Sequence, residues 1–280
     1  MVYRWRCRHC EFTVWASRRE QTAQRAKVHV FGHNRQNVTD DEFHLQWRCP
    51  YCERTGQTHD RSSGLETYKA HLFSHVEPLM ESGVHIADDI EYTGSVLVLS
   101  PTESPGAKNA RVHFLAPCDI AVFVTTNPAR RLQLLREELT ELPAWIVMLT
   151  TRERPLEGVP DHDISNLPLE VVQLDRQMGL AGLGETVSRV ISEQEAMDGK
   201  ISFEFDVLSE LVDTFTLQKV FRFLHILNAR LEEADVLSHY YFDPESHYEG
   251  SVNVLDRMFD MRIRASGQVF VSEPRGVPPR

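Results

Sequence analysis

Lysine is scarce in this 280-residue chain: five occur, at 27, 69, 108, 200 and 219, so 25 of the 30 basic residues are arginine, against 41 acidic residues and a formal charge of -11. That balance fits a salt-adapted, arginine-favouring proteome and, nearly as well, an ordinary acidic cytosolic protein. No uncharged apolar run is long enough to span a bilayer, and the opening "MVYRWRCRHC" has no apolar core of signal-peptide length. A soluble, cytoplasmic protein with no membrane partner is the expectation. Gly-x-Ser-x-Gly, Ser-x-x-Lys and Gly-x-Gly-x-x-Gly are all missing, which removes the hydrolase elbow, the Ser-Lys nucleophile and the dinucleotide fingerprint. Cysteine is rare too, with five residues, yet four stand as two Cys-x-x-Cys pairs in the first fifth of the chain. In a reducing compartment that spacing points to metal rather than disulfides. Cys118 is left over as a small apolar residue.

Charge is uneven. Residues 1–38 carry eight Arg or Lys against two Glu, residues 39–80 four against seven acids, and the remaining 200 residues eighteen against thirty-two. One basic segment is therefore attached to an acidic body.

A shift of 42 residues superposes Cys7 on Cys49, Cys10 on Cys52, His29 on His71 and His33 on His75, with Trp5 on Trp47, Lys27 on Lys69 and Phe31 on Phe73. Each repeat reads Cys-x2-Cys, eighteen residues, His-x3-His. Histidines at i and i+4 share one helix face, so each repeat can offer two imidazoles and two thiolates to a tetrahedral ion. A single pair could be redox chemistry or burial; duplication argues for two C2H2-type zinc fingers, 1–38 and 39–80, with one zinc ion each. The gap between the pairs exceeds the usual dozen or so, predicting an extended loop before each helix. The tryptophan ahead of each knuckle, with Val28, Val30, Ala70 and Leu72, is expected to form the small core. Arg18, Arg19, Arg25 and Lys27, with Trp5 and Trp15 interleaved, compose a candidate nucleic-acid surface. A basic face docked on the protein's own acidic body, or a protein partner, fits equally, since finger 2 is acidic.

After a linker at 81–93 the pattern becomes strand then helix. Strand candidates are "SVLVLS" (95–100), "IAVFVTT" (120–126), "AWIVMLTT" (144–151), "LEVVQLD" (169–175), "ISFEFD" (201–206) and "DVLSHYYF" (235–242), closed by "MRIRAS" and "QVFVS". Amphipathic helices lie between them, in "ARRLQLLREELTEL", "LGETVSRVISEQEAM" and "LQKVFRFLHILNARLEEA". Continuous apolar strands alternating with helices predict an α/β domain over 94–273, its mostly parallel sheet covered on both faces, before a short tail at 274–280.

The pieces "GSVLVLSP", "FVTTNPARRLQLL", "ISFEFDVLSELVD", "KVFRFLHILNAR" feeding "SHYYFDP", and "VNVLDRMFDMRIRA" resemble the RecA/KaiC-like P-loop ATPase fold. The likeness is greater to a haloarchaeal family of uncharacterised proteins that join N-terminal C2H2-like fingers to a degenerate version of it. That resemblance implies a nucleotide site, and the residues fit it poorly. With the second loop glycine at Gly106, Pro101 takes the first glycine's place, Ala107 the lysine's and Lys108 the hydroxyl residue's. Asp206, with Glu204 on the same strand face, matches the carboxylate that polarises magnesium-bound water. The catalytic glutamate position reads Thr125, Thr126, Asn127. A lone Asp closing a strand is more often a structural cap than a metal ligand.

The remaining candidates are weaker. His239, Asp243 and His247 could be assembled into a metal or catalytic set. "DHD" at 161–163 reads as a solvated loop, and "GLAGLG" at 179–184 as a helix entry. The expected protein is a non-enzymatic, zinc-binding regulatory or interaction module joined to a pseudo-ATPase domain that offers a protein-binding surface. Two alternatives stay open: a nucleotide-dependent switch or weak ATPase using Lys108 and Asp206, and a DNA-binding transcriptional regulator acting through finger 1.

Overall fold

The computed structural model describes residues 2–40, 44–160, 164, 167–247 and 249–273. The run at 161–163 and the tail at 274–280 lie outside them. The chain divides into two compact units, Met1–His85 with Val269–Arg280, and Ile86–Gln268.

In the first unit each repeat is a hairpin followed by a helix. Strands β1 (Tyr3–Arg6) and β2 (Thr13–Ala16) pair antiparallel and lead into α1 (Arg19–Asn34). After β3 (Val38–Asp40), strands β4 (Leu45–Arg48) and β5 (Thr55–Thr58) repeat that hairpin and lead into α2 (Arg61–Ser74). The registers coincide: Tyr3 faces Ala16 as Leu45 faces Thr58, and Arg6 faces Thr13 as Arg48 faces Thr55. The extended loop expected before each helix is thus a strand. In β2 the reason is burial, since Thr13, Val14, Trp15 and Ala16 are all buried and β-branched and aromatic side chains suit a pleated surface.

Two short strands complete the hairpins crosswise. β3, which trails α1, pairs with β4; β6 (Glu81–Ser82), which trails α2, pairs with β1. The closing strand Val269–Ser272, read from sequence as part of the α/β domain, pairs antiparallel with β2, satisfying the ladder groups of an otherwise open edge. One core serves both repeats and includes Trp5, Val14 and Val30 from the first with Trp47, Tyr68 and Leu72 from the second. Val28 and Ala70 do not join it: Val28 is 68% exposed and Ala70 is exposed. Residues two apart on a helix point about 200° from one another, so Val28 and Val30 cannot both face the core.

The second unit holds β7 (Gly94–Leu99), α3 (Pro105–Leu115), β8 (Ile120–Val124), α4 (Pro128–Glu138), β9 (Trp145–Thr150) and β10 (Leu169–Gln173). There follow α5 (Leu180–Glu195), β11 (Ile201–Phe205), α6 (Leu208–Thr214), α7 (Leu217–Glu233), β12 (Leu237–Phe242), α8 (Glu249–Leu255) and β13 (Met261–Ser266). Its strands lie in the order β10-β9-β8-β11-β12-β7-β13, and every pair is parallel. Alternate residues of one strand enter different cores. Ile120, Val122 and Val124 pack with α5 and α7 on one face, and Ala121 and Phe123 with α4 on the other. Burial on both faces is why these strands read as unbroken apolar runs. Helix α7 buries Val220, Phe223, Leu224, Leu227 and Leu231, a stripe at helical spacing. The glycines at 179–184 open α5, which begins at Leu180. Among the described residues no helix is long and apolar enough to cross a membrane.

Candidate metal centres and a buried ion cluster

The hairpin turn of each repeat carries its two cysteines; His29 and His33 lie on α1, His71 on α2 and His75 at its C-cap. In one cluster the ligand atoms of Cys7, Cys10, His29 and His33 all lie within 4.8 Å of one another, as do those of Cys49, Cys52, His71 and His75 in the other. Cys10 Sγ is 3.3 Å from His29 Nε2 and 3.2 Å from His33 Nε2. Cys49 Sγ is 3.4 Å from His75 Nε2, and Cys52 Sγ is 3.3 Å from His71 Nε2. A tetrahedron with zinc–sulfur and zinc–nitrogen bonds of ~2.3 and ~2.0 Å has S···N edges near ~3.5 Å, so both clusters fit that ion.

Surrounding groups hold the ligands ready. Backbone N–H groups of His9, Phe12 and Tyr51 donate to the sulfurs of Cys7, Cys10 and Cys49, each at 3.4 Å. Without a cation, burial pushes the Cys10 thiol up to about 11 and raises that of Cys49, so the thiolates need a positive charge beside them. Burial and the neighbouring His75 lower His71, keeping its ring neutral for coordination. His29 stacks on Phe12 at 3.8 Å, and His71 on Trp47 at 5.5 Å.

The residues expected to touch nucleic acid separate into two groups. Arg19 and Lys27 approach Glu77 of the second repeat, at 4.0 and 3.8 Å, and Lys27 lies over the Phe73 ring. Arg18 and Arg25 are exposed. Arg18 occupies the N-cap of α1 with no side-chain cap bond, whereas Asp60, its counterpart on α2, accepts from the N–H groups of Ser62 and Ser63.

In the α/β unit each of the expected nucleotide residues is engaged by other groups of the chain. Gly106 lies in the first turn of α3, where an added Cβ would come 2.5 Å from the Ala265 carbonyl oxygen; close approach to β13 accounts for the glycine. Lys108 is on the surface, 2.8 Å from Glu138 and 3.7 Å from Glu137. Asp206, at the carboxyl end of β11, is 1% exposed. Its Oδ2 accepts from the Thr125 hydroxyl at 2.6 Å and from Arg131 Nε and Nη2 at 3.0 and 2.8 Å.

Glu204 is equally buried and takes Arg111 Nε at 2.6 Å and Arg131 Nε at 2.9 Å. Arg111 also donates to the Thr102 carbonyl and lies 3.9 Å over the Tyr241 ring; Arg131 Nη2 reaches Glu103. Burial disfavours the Arg131 charge, but Glu204, Asp206 and Glu103 outweigh it and hold the guanidinium firmly protonated. Burial pushes the Asp206 carboxyl up, and Arg131 pulls it back only part of the way. Sequence reading missed both arginines. The sequence carries only a hint of them: Arg111 shares a helix face with Phe114 and Leu115, and Arg131 with Leu134 and Leu135.

The weaker set is not brought together. His239 is fully buried between the Ser202 and Tyr241 hydroxyls, each 3.1 Å from a ring nitrogen, and burial holds it neutral. His247 donates from Nδ1 to the Asp243 carbonyl and lies 3.2 Å from Asp213. Cys118 donates to the Leu115 carbonyl, its thiol pushed up to about 12 by burial.

A family model, described as a family of unknown function (DUF7504), matches residues 93–265. No curated protein matches the sequence. Among solved structures, the uncharacterised protein PH0321 from Pyrococcus horikoshii, crystallised with an unknown peptide, is similar at 10% identity and a TM-score of 0.44, over 61% of this chain and 77% of its own. The PH0250 protein from Pyrococcus horikoshii OT3 is similar at 6% identity and a TM-score of 0.42, over 66% and 88%.

Proposed function

We propose that this chain, which belongs to the family of unknown function DUF7504 and takes no activity from it, is a non-enzymatic interaction or regulatory protein. In this reading two structural zinc ions shape its N-terminal module, and a degenerate RecA/KaiC-like domain offers a protein-binding surface. The observation that carries it is Asp206. A magnesium-dependent phosphoryl-transfer site needs a carboxylate open to the ion and a lysine reaching the phosphates. Here the carboxylate is buried against Arg131 and Thr125, and Lys108 is engaged by Glu137 and Glu138. Calorimetric titration of magnesium ATP into the zinc-loaded protein, at low and at multimolar potassium chloride, is expected to give no binding heat. Binding that Asp206→Asn abolishes would instead make the chain a nucleotide-dependent switch.

A second reading, nucleic-acid contact through the first repeat, is favoured by the asymmetry of the duplicated helices: Arg18 and Arg25 on α1 stand where α2 has Asp60 and Thr67. Joint replacement of Arg18 and Arg25 by alanine is expected to weaken duplex DNA binding and flatten the slope of log affinity against log salt by about 1–2. Arg19→Ala and Lys27→Ala should do less, because Glu77 engages both side chains. No affinity of the unmodified protein for DNA at low salt would sink this reading.

A further inference from the structure

The duplication that supplies two metal clusters also interlocks them. His9 and Tyr51 occupy equivalent places in the two repeats and face each other, ring centroids 5.4 Å apart. Lys27 lies 6.0 Å over Phe73, and the equivalent Lys69 lies 5.4 Å over the equivalent Phe31. The trailing strands are exchanged in the same sense: Thr39 faces Gln46 and Asp40 faces Leu45, as Glu81 faces Arg4 and Ser82 faces Tyr3. Shifted by 42 residues these registers coincide, so each repeat lends its last strand to the other, as protomers of a swapped dimer do.

We propose that the two centres form a single cooperative metal-binding unit that fills and empties as a pair; this rests on reading both clusters as metal sites. Two routes of packed side chains join them. On the helix side, Asn34 follows the ligand His33, and its carbonyl accepts the Tyr68 hydroxyl at 2.9 Å. Tyr68 packs on Trp47 at 5.5 Å, and Trp47 stacks on the ligand His71. On the knuckle side, His9 lies between Cys7 and Cys10, and its neighbour Tyr51 lies between Cys49 and Cys52 and packs 5.5 Å from the ligand His75.

Emptying the first site frees the end of α1 and the knuckle that supports Tyr51. The fully buried Tyr68 hydroxyl then loses its acceptor, and β4 loses the strand that completes it. An unsatisfied buried hydroxyl is costly, and the cost falls on the second site. By symmetry of linkage the second site supports the first equally, and each ion should raise the other's affinity about tenfold or more.

The test is native mass spectrometry of the full-length protein, loaded with zinc and then stripped stepwise with a chelator. Two equal, independent sites would leave about half of the molecules with one ion at the midpoint, and unequal ones more; only coupling gives fewer. The expected result is a one-ion population well below half. Tyr68→Phe combined with Tyr51→Ala keeps all eight ligands and should raise that population toward the independent value. A one-ion population of half or more in the unmodified protein overturns the proposal, as does a double variant indistinguishable from it. Failure of the metal reading itself shows at the first step: no ion is retained, and cobalt gives no tetrahedral visible bands, so coupling falls with it.

Discussion

Chelation of the bound metal is expected to erase the near-ultraviolet circular dichroism of Trp5, Trp15 and Trp47 while Ile86–Gln268 keeps its helical signal. The reason is one of scale. Structural zinc contributes about 10–16 kcal/mol to a site of this ligand set, whereas a whole small domain is stable by about 5–15 kcal/mol. Losing even one ion therefore removes a free energy comparable to the whole stability of a small domain. That core is anchored by the ligands themselves, since Cys7 and Cys49 are among its buried members. The three tryptophans are buried, and those at 5 and 47 contact ligand histidines, so their fixed environments report the metal state directly. The α/β unit has its own cores on both sheet faces, with no ligand residue in either. Protease added with the chelator should accordingly cut within the first 85 residues and spare the second unit. A rigid tryptophan signature that survives metal removal would mean that the clusters are packing histidines and cysteines without a metal role.

Much of this was legible in the residues. The two Cys2His2 clusters followed from spacing and duplication, because coordination demands fixed residue types at fixed separations. Strands β7, β8 and β9 followed from their apolar runs, because a sheet covered on both faces leaves no polar alternation to confuse with a loop. The strand exchange was not legible: "VTD" and "ES" are too short to carry a period, and which hairpin they join is decided by the packing of α1 against α2. Nor was the inward turn of Arg111 and Arg131. An arginine beside leucines reads equally as the rim of a helix face, and what draws these two inside is Glu204, 93 residues from Arg111, and Asp206, 75 residues from Arg131. At Gly106 the structure adds a reason the sequence does not carry: the glycine sits in the first turn of α3, where its close approach to β13 leaves no room for a Cβ.

Arg131→Met should be the most damaging single substitution in the α/β unit, lowering its stability by about 3–5 kcal/mol at neutral pH. Arg131 touches Asp206, Glu204 and Glu103 together. Methionine fills most of the volume, so the loss is of charge rather than of packing. Glu204 then keeps Arg111 and Asp206 keeps the Thr125 hydroxyl, while both carboxylates stay buried. The pH dependence has a definite sign. Burial already raises Asp206 above the ordinary carboxylate range, and losing Arg131 raises it further. A carboxyl whose folded value exceeds its unfolded one binds its proton more readily when folded. Its neutral form therefore costs little below the unfolded value, and stability is lost as pH rises through the folded value. The deficit of Arg131→Met relative to the unmodified protein should consequently shrink as pH falls from about 8 to about 5, when urea midpoints are compared at each pH. Adding Asp206→Asn, which removes the stranded charge, should recover part of the loss at neutral pH and flatten that pH dependence. A deficit that is small, or that grows on acidification, would show that the cluster is held by packing alone. The role given to Asp206, as the internal counter-ion of Arg131 rather than a ligand for magnesium, would then have to be abandoned.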